Sequence, residues 1–321
     1  MKKMRILFSF LLIFSITTLS TFPFTKDIPT AQAASNIYLN ETNLTLEVDH
    51  YKTLRVGGTS ANASWTTNNS NIATVSSSGK IFAKAPGTVT ITANVGGQKV
   101  RCKVNVIFMK ENIILTKKQS TTLTVLGTKD AVSFTSENPE IAKVSETGKV
   151  TAIAIGTTNI IASVNGKDIS SKVSVVGLNH DSVVLELGGW SGFIKTLKVE
   201  GIKGNIKWSS ANNTIATIGS DGKVRAKGPG TTKITATIDG KKLTSTVKVI
   251  KASTKEFNLR IGSTKKLSIL GTDSKVTWDS NKKSVAVVSA DGIVSPVSQG
   301  TASIYGFVDG RKVTIKVNVV K

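Results

Sequence analysis

The chain has 321 residues, one cysteine, two histidines and a formal charge of +22. A lone thiol excludes an intradomain disulfide framework, and two separated histidines exclude a histidine-rich metal or acid–base centre. The excess of Lys and Arg predicts attraction to polyanions: nucleic acid, anionic headgroups or acidic wall polymers.

The first element is "MKKMRILFSFLLIFSITTLS", in which Lys2, Lys3 and Arg5 precede an apolar run from Ile6 to about Ile16. "AQAAS" follows and places Ala31 and Ala33 in an A-x-A arrangement. This pattern predicts a secretory signal peptide over residues 1–33. The apolar run is about half the ~20 residues that span a bilayer, so no transmembrane anchor is expected. Removing residues 1–33 leaves a charge of +19. Export makes nucleic acid a poor candidate partner, as does the lack of interleaved aromatics for base stacking.

The remaining chain repeats itself. "GKIFAKAPGTVTITANVGGQK" at 79–99 returns as "GKVTAIAIGTTNIIASVNGKD" at 148–168 and "GKVRAKGPGTTKITATIDGKK" at 222–242, with "GIVSPVSQGTASIYGFVDGRK" at 292–312. An aromatic recurs at Trp65, Phe134, Trp208 and Trp278, a turn glycine at Gly79, Gly148, Gly222 and Gly292, and a glycine before Thr at Gly87, Gly156, Gly230 and Gly300. Every landmark steps by 69, then 74, then 70 residues. The units are therefore placed at 34–107, 108–176, 177–250 and 251–321.

Within each unit the apolar pattern has period two, as in half-buried strands. Val100, Cys102, Val104 and Val106 alternate with Lys99, Arg101, Lys103 and Asn105, and Ile91, Ala93 and Val95 share an inward phase. "GGQ", "NGK", "DGK" and "DGR" supply hairpin turns, because Gly, Asn and Asp tolerate positive φ. The fold class expected is all-β: four tandem Ig-like β-sandwiches. Cys102 aligns with Ser171, Ser245 and Ile315, so its slot is read as core, and the recurring aromatic is read as a core plug.

The stretch 208–237, "W-S-S…N-x-x-I-A-T-I…S-D-G-K-V-R-A-K-G-P-G-T-T-K-I-T-A-T", resembles the bacterial immunoglobulin-like group 2 family, and "WTTNNSNIATVSSSGKIFAKAPGTVTITA" in the first unit matches it too. The second unit departs with Ile155 before its glycine, and the fourth with Val285-Ala286 and Gln299. The resemblance covers nearly all of the chain after residue 33. It implies an extracellular module of the kind found in adhesins, surface-layer proteins and wall-associated enzymes. A fold does not transfer an activity.

"KVNVIFMKENIIL" and "KVSVVGLNHDSVVL" run from one unit into the next with no Pro- or Ser-rich linker. Such joints predict an elongated array, roughly 35 Å per unit and on the order of 140 Å in all at ~3.3 Å per strand residue. Catalytic furniture is missing from the pattern: His50 and His180 lie in different units, and Asp221, Asp239, Asp291 and Asp309 all precede Gly in turns. No enzyme activity, cofactor or metal site is expected.

The charge is uneven. The units carry +4, +2, +6 and +7, so thirteen of the nineteen net charges fall in the last two. Lys223, Lys241, Lys242, Arg311 and Lys312 follow turn glycines there. Two readings stand: these residues bind an anionic polymer, or they guard exposed strand edges against aggregation. The third unit also has four additional residues, which lie within "GGWSGFIKT" and present Trp190 and Phe193 as a loop contact or as a cover for the sandwich end. The function expected is a secreted, non-catalytic surface or wall-associated binding module. Its candidate partners are anionic cell-wall polymer, extracellular polysaccharide or a surface protein. The rivals are a passive spacer and an accessory part of wall-active machinery.

Overall fold

The computed structural model describes residues 36–188 and 193–321, which form strands and turns with no helix among them. The expected signal peptide, residues 1–33, and Trp190 lie outside the described residues. Each unit contributes four strands to a larger sheet and three to a smaller one, the larger sheets of the second and third units gaining a fifth strand from the unit that follows. In the first, the larger sheet runs Asn43–Glu47, Gln98–Ile107, Gly87–Val95, Ser64–Thr67, and its opening strand pairs parallel to the final strand. Tyr51–Thr53, Lys80–Ala83 and Ala73–Val75 form the smaller sheet. The other three units repeat this order.

Period-two patterning sets what is buried. Val89, Ile91, Ala93 and Val95 point into the first core and face Cys102, Val104 and Val106, while Lys99, Arg101 and Lys103 stay exposed. Each fully buried Val or Ile contributes roughly 1.5–3 kcal/mol. The Cys102 slot is fully buried in all four units, by Cys102, Ser171, Ser245 and Ile315. Burial, with Glu41 nearby, pushes the Cys102 thiol up to about 11.

The aromatic and the turn glycine recur together because they touch. A Cβ on Gly79 would sit 2.8 Å from the Trp65 ring and one on Gly292 2.9 Å from Trp278, with φ near +77° and +79°. Trp65, Phe134, Trp208 and Trp278 are half-buried and packed on their cores, so each plugs the sandwich from beneath a tight turn. Gly96-Gly97, Asn165-Gly166, Asp239-Gly240 and Asp309-Gly310 all have positive φ, as two-residue hairpins require.

Strand continuity makes the joints. The final strand of the second unit, Lys167–Leu178, continues far enough to pair with Val199–Glu200 of the third. Lys241–Ala252 pairs likewise with Ile269–Leu270 of the fourth. Phe108 bridges Leu126 at the first joint. Met109, Leu178 and Ala252 are buried at the first, middle and last joints respectively, and Leu39 fills the same slot before the first sandwich. The next unit's turn approaches so closely that a Cβ on Gly127, Gly201 or Gly271 would lie 1.9, 2.0 or 2.1 Å from a carbonyl of the preceding strand.

Candidate functional site

Outward strand positions and hairpin tips carry the charge. On the final strand of the first unit Lys99, Arg101 and Lys103 are all exposed, a basic stripe that the period-two pattern placed opposite Cys102. The corresponding stripe in the fourth unit is Lys312, Thr314 and Lys316. Carboxylates neutralise part of this surface. Lys223 bonds Asp221 at 2.9 Å, Lys316 bonds Glu256 at 2.9 Å, and Lys283 lies 3.3 Å from Asp279. The lysine partners hold Asp221 and Glu256 below the usual carboxylate range, and a Ser280 backbone bond, then Lys283, does the same for Asp279.

The residues expected from the sequence do not gather at one place. Lys223 opens Lys223–Ala226 of the smaller sheet, whereas Lys242 lies on the outward face of the larger one. Phe193 is 46% exposed and its carbonyl accepts the Ala226 amide, beside the smaller sheet of the third unit. Lys241 is half-buried and, with Asp239, lines an open polar cleft of about 470 Å³ shared with Lys110 and Gln119 of the second unit. Arg311, likewise half-buried, sits in the electrostatic neighbourhood of Glu186 and Lys255 at the last joint. Both tips therefore turn toward the preceding unit.

Of the basic residues expected from the sequence, Lys312 acquires an aromatic setting. Its Nζ lies 4.7 Å from the Tyr305 ring centroid, and Tyr305 meets Phe307 edge-on at 6.3 Å. Tyr305 and Phe307 belong to the outward face of Gly300–Val308 and were not singled out by sequence. Their signal was the departure of "SIYGF" from "KITAT" and "TITAN" at the same slots. A second cluster joins Tyr51 and Phe82, stacked at 4.8 Å, with Lys80 4.3 Å from the Tyr51 centroid.

The joints are chemically unequal. At the first, Asn105 Nδ2 and Asn165 Nδ2 donate to Asp130 Oδ2 at 3.0 and 2.7 Å, and the Asn165 bond, then the Thr128 side chain, lower the Asp130 pKa. At the last, Lys248 Nζ donates to Asp309 Oδ2 at 2.6 Å and Ser274 Oγ to Asp309 Oδ1 at 2.9 Å. The middle joint instead packs Val176, Leu178, Ala236 and Leu243 with Ile114, Ile202 and Ile206. No group of three or more potential metal ligands occurs among the described residues. No helix there is long and apolar enough to cross a membrane.

Sandwiches in series, joined through continuous strands and carrying basic outward faces, define a tandem immunoglobulin-like β protein. The chain belongs to the bacterial Ig-like domain (group 2) family, whose model matches residues 33–104, 105–175 and 194–250. The fourth unit, beyond those stretches, has the same strand order. Ice-binding protein 1 of Shewanella frigidimarina is 25% identical over 292 residues, covering 75% of this chain and 33% of that protein. An uncharacterized protein of Clostridium acetobutylicum is 30% identical over 171 residues, 46% of this chain and 18% of its own length. The chain thus spans a third or less of these relatives. Among solved structures, invasin, a bacterial integrin-binding protein, aligns over 88% of this chain and 78% of its own at 13% identity and TM-score 0.29. The S-layer protein rSbsC(31-844) aligns over 86% and 53% at 17% identity and TM-score 0.21.

Proposed function

We propose that the chain is an exported, non-catalytic surface module that attaches to an anionic extracellular polymer. The basic faces of its third and fourth units supply the attraction, and the tandem array sets the reach. The observation that carries this reading is the surplus of lysine on turns and outward strand faces. Thirteen net charges in the last two units remain after local carboxylates are counted. Edge protection accounts for scattered lysines, but it needs no one-sided excess. The family's tandem Ig-like construction supports a surface role, and the strand-continuous joints support spacing as part of it.

The test is co-sedimentation of the chain lacking residues 1–33 with isolated bacterial cell walls, before and after their anionic polymers are stripped, across a salt series. Binding that disappears on stripping and at moderate salt supports the proposal, since exposed charges are screened within ~8–10 Å under those conditions. Salt-resistant binding to stripped walls overturns it in favour of a specific glycan or peptide contact, and makes Trp190 the residue to replace. Absence of binding throughout leaves a spacer.

A further inference from the structure

We infer that the outward face of the fourth unit is a saccharide subsite, with Phe307, Tyr305 and Lys312 receiving a pyranose ring that carries an anionic group. The inference rests on the polyanion reading above and names the class of polymer. Four copies of one fold provide its internal control. The Tyr305 slot holds Thr92, Ile161 and Thr235 in the other units, and the Phe307 slot holds Asn94, Ser163 and Thr237. Those sandwiches form without aromatics there, so the fold does not demand them. Phe307 is nevertheless 41% exposed, with Lys312 and Thr277 as its cross-strand neighbours.

The chemistry selects the ligand. An edge-to-face pair, 63° between planes, leaves ring surface open toward solvent, where the C–H face of a sugar can lie flat. The Lys312 ammonium, held over Tyr305 by its ring quadrupole, retains N–H donors for a carboxylate or phosphate beside that ring. Thr277 and Thr314, directly across from Phe307 and Tyr305, offer hydroxyls on the same face. Asp279, also across from Tyr305, is engaged by Lys283, which tempers its repulsion of an anion. The Tyr51 cluster is a weaker candidate, because Phe82 and Lys80 both pack on the one Tyr51 ring.

Calorimetric titration of the chain lacking residues 1–33 tests the subsite, with an oligogalacturonate and a polyphosphate of matched charge as probes. Tyr305→Thr and Phe307→Thr install the third unit's residues, so the fold is retained, which circular dichroism verifies. Tyr51→Ser, the second unit's residue, is the control. Each fourth-unit variant is expected to weaken oligogalacturonate roughly two- to tenfold and leave polyphosphate unchanged. The ring protons of Phe307 should shift in NMR spectra only with the sugar. Equal binding by variants and parent, with both probes still bound, overturns the subsite and leaves polyanion attachment intact. Equal weakening toward both probes overturns the sugar assignment. Failure of both probes to bind the parent chain at low salt overturns the polyanion reading itself.

Discussion

Gly292 and Gly310 share a backbone conformation but not an environment, and replacing each by Ala separates the two costs. Their φ angles are +79° and +71°, so either substitution forces an L-residue into the left-handed region at about 1 kcal/mol. Around Gly310 nothing lies within 4 Å of the added Cβ. At Gly292 the Cβ would fall 2.8 Å from the Leu267 carbonyl oxygen and 2.9 Å from Trp278 Nε1. The ring has no retreat, because a Cβ on Gly306 would also lie 2.9 Å from Trp278, so that side of the indole is closely packed too. Overpacking of this kind adds roughly 1–3 kcal/mol. Gly310→Ala should therefore cost about 1 kcal/mol and Gly292→Ala about 2–4 kcal/mol. Since four units do not unfold as one two-state transition, the assay is native-state hydrogen exchange read on fourth-unit peptides. Exchange should quicken roughly fivefold for Gly310→Ala and about 30- to 1000-fold for Gly292→Ala, at tenfold per 1.4 kcal/mol. Equal acceleration by the two variants would refute the claim that the glycine recurs because the aromatic packs on it.

The other predictions concern the core and the joints. Ser245 occupies the Cys102 slot, fully buried with no protein partner for its hydroxyl, so Ser245→Cys should raise the third unit's stability by about 1 kcal/mol in the same exchange experiment. Cys102 should resist thiol reagents at pH 8 until the first unit unfolds. Its folded pKa of about 11 lies above the ordinary 9.0, so the first unit should lose stability as pH rises between these values, and Cys102→Ser should remove that dependence. Lys248 depresses the Asp309 carboxyl, so the ion pair stabilises the last joint above the ordinary carboxylate pKa and is lost as pH falls through the lower folded value. Small-angle scattering should show the last joint loosening in that acid range, and Asp309→Asn should loosen it at neutral pH.

The fold was legible because its signals are local and mutually packed. Alternation in "KVRCKVNV" declares one buried face, and the aromatic and its turn glycine keep one spacing in all four units because one residue covers the other. The direct joints were legible too, since "KVSVVGLNHDSVVL" leaves no room for a linker. What faces what across a joint was not. Asp309 reads as a hairpin residue, and nothing in sequence spacing announces that it meets Lys248, 61 positions away. Arg311 and Lys241 follow turn glycines like Lys149 and Lys80, yet their tips turn toward the neighbouring unit, which depends on the angle between sandwiches. Tyr305 and Phe307 were overlooked because the fourth copy reads as a worn repeat. Its departures from the pattern are where the candidate sugar face lies.

The measurement that tests the central claim most directly compares two fourfold neutralised variants of the chain lacking residues 1–33 for equilibrium binding to anionic cell-wall polymer. One changes Lys223, Lys241, Lys242 and Lys312 to Gln, and the other changes Lys84, Lys99, Arg101 and Lys103 of the first unit. Both remove the same charge, so a diffuse attraction would weaken them equally. The account predicts a clearly larger loss of affinity, and a shallower salt dependence, for the third- and fourth-unit variant. Equal losses, or a larger loss from the first unit, would contradict it.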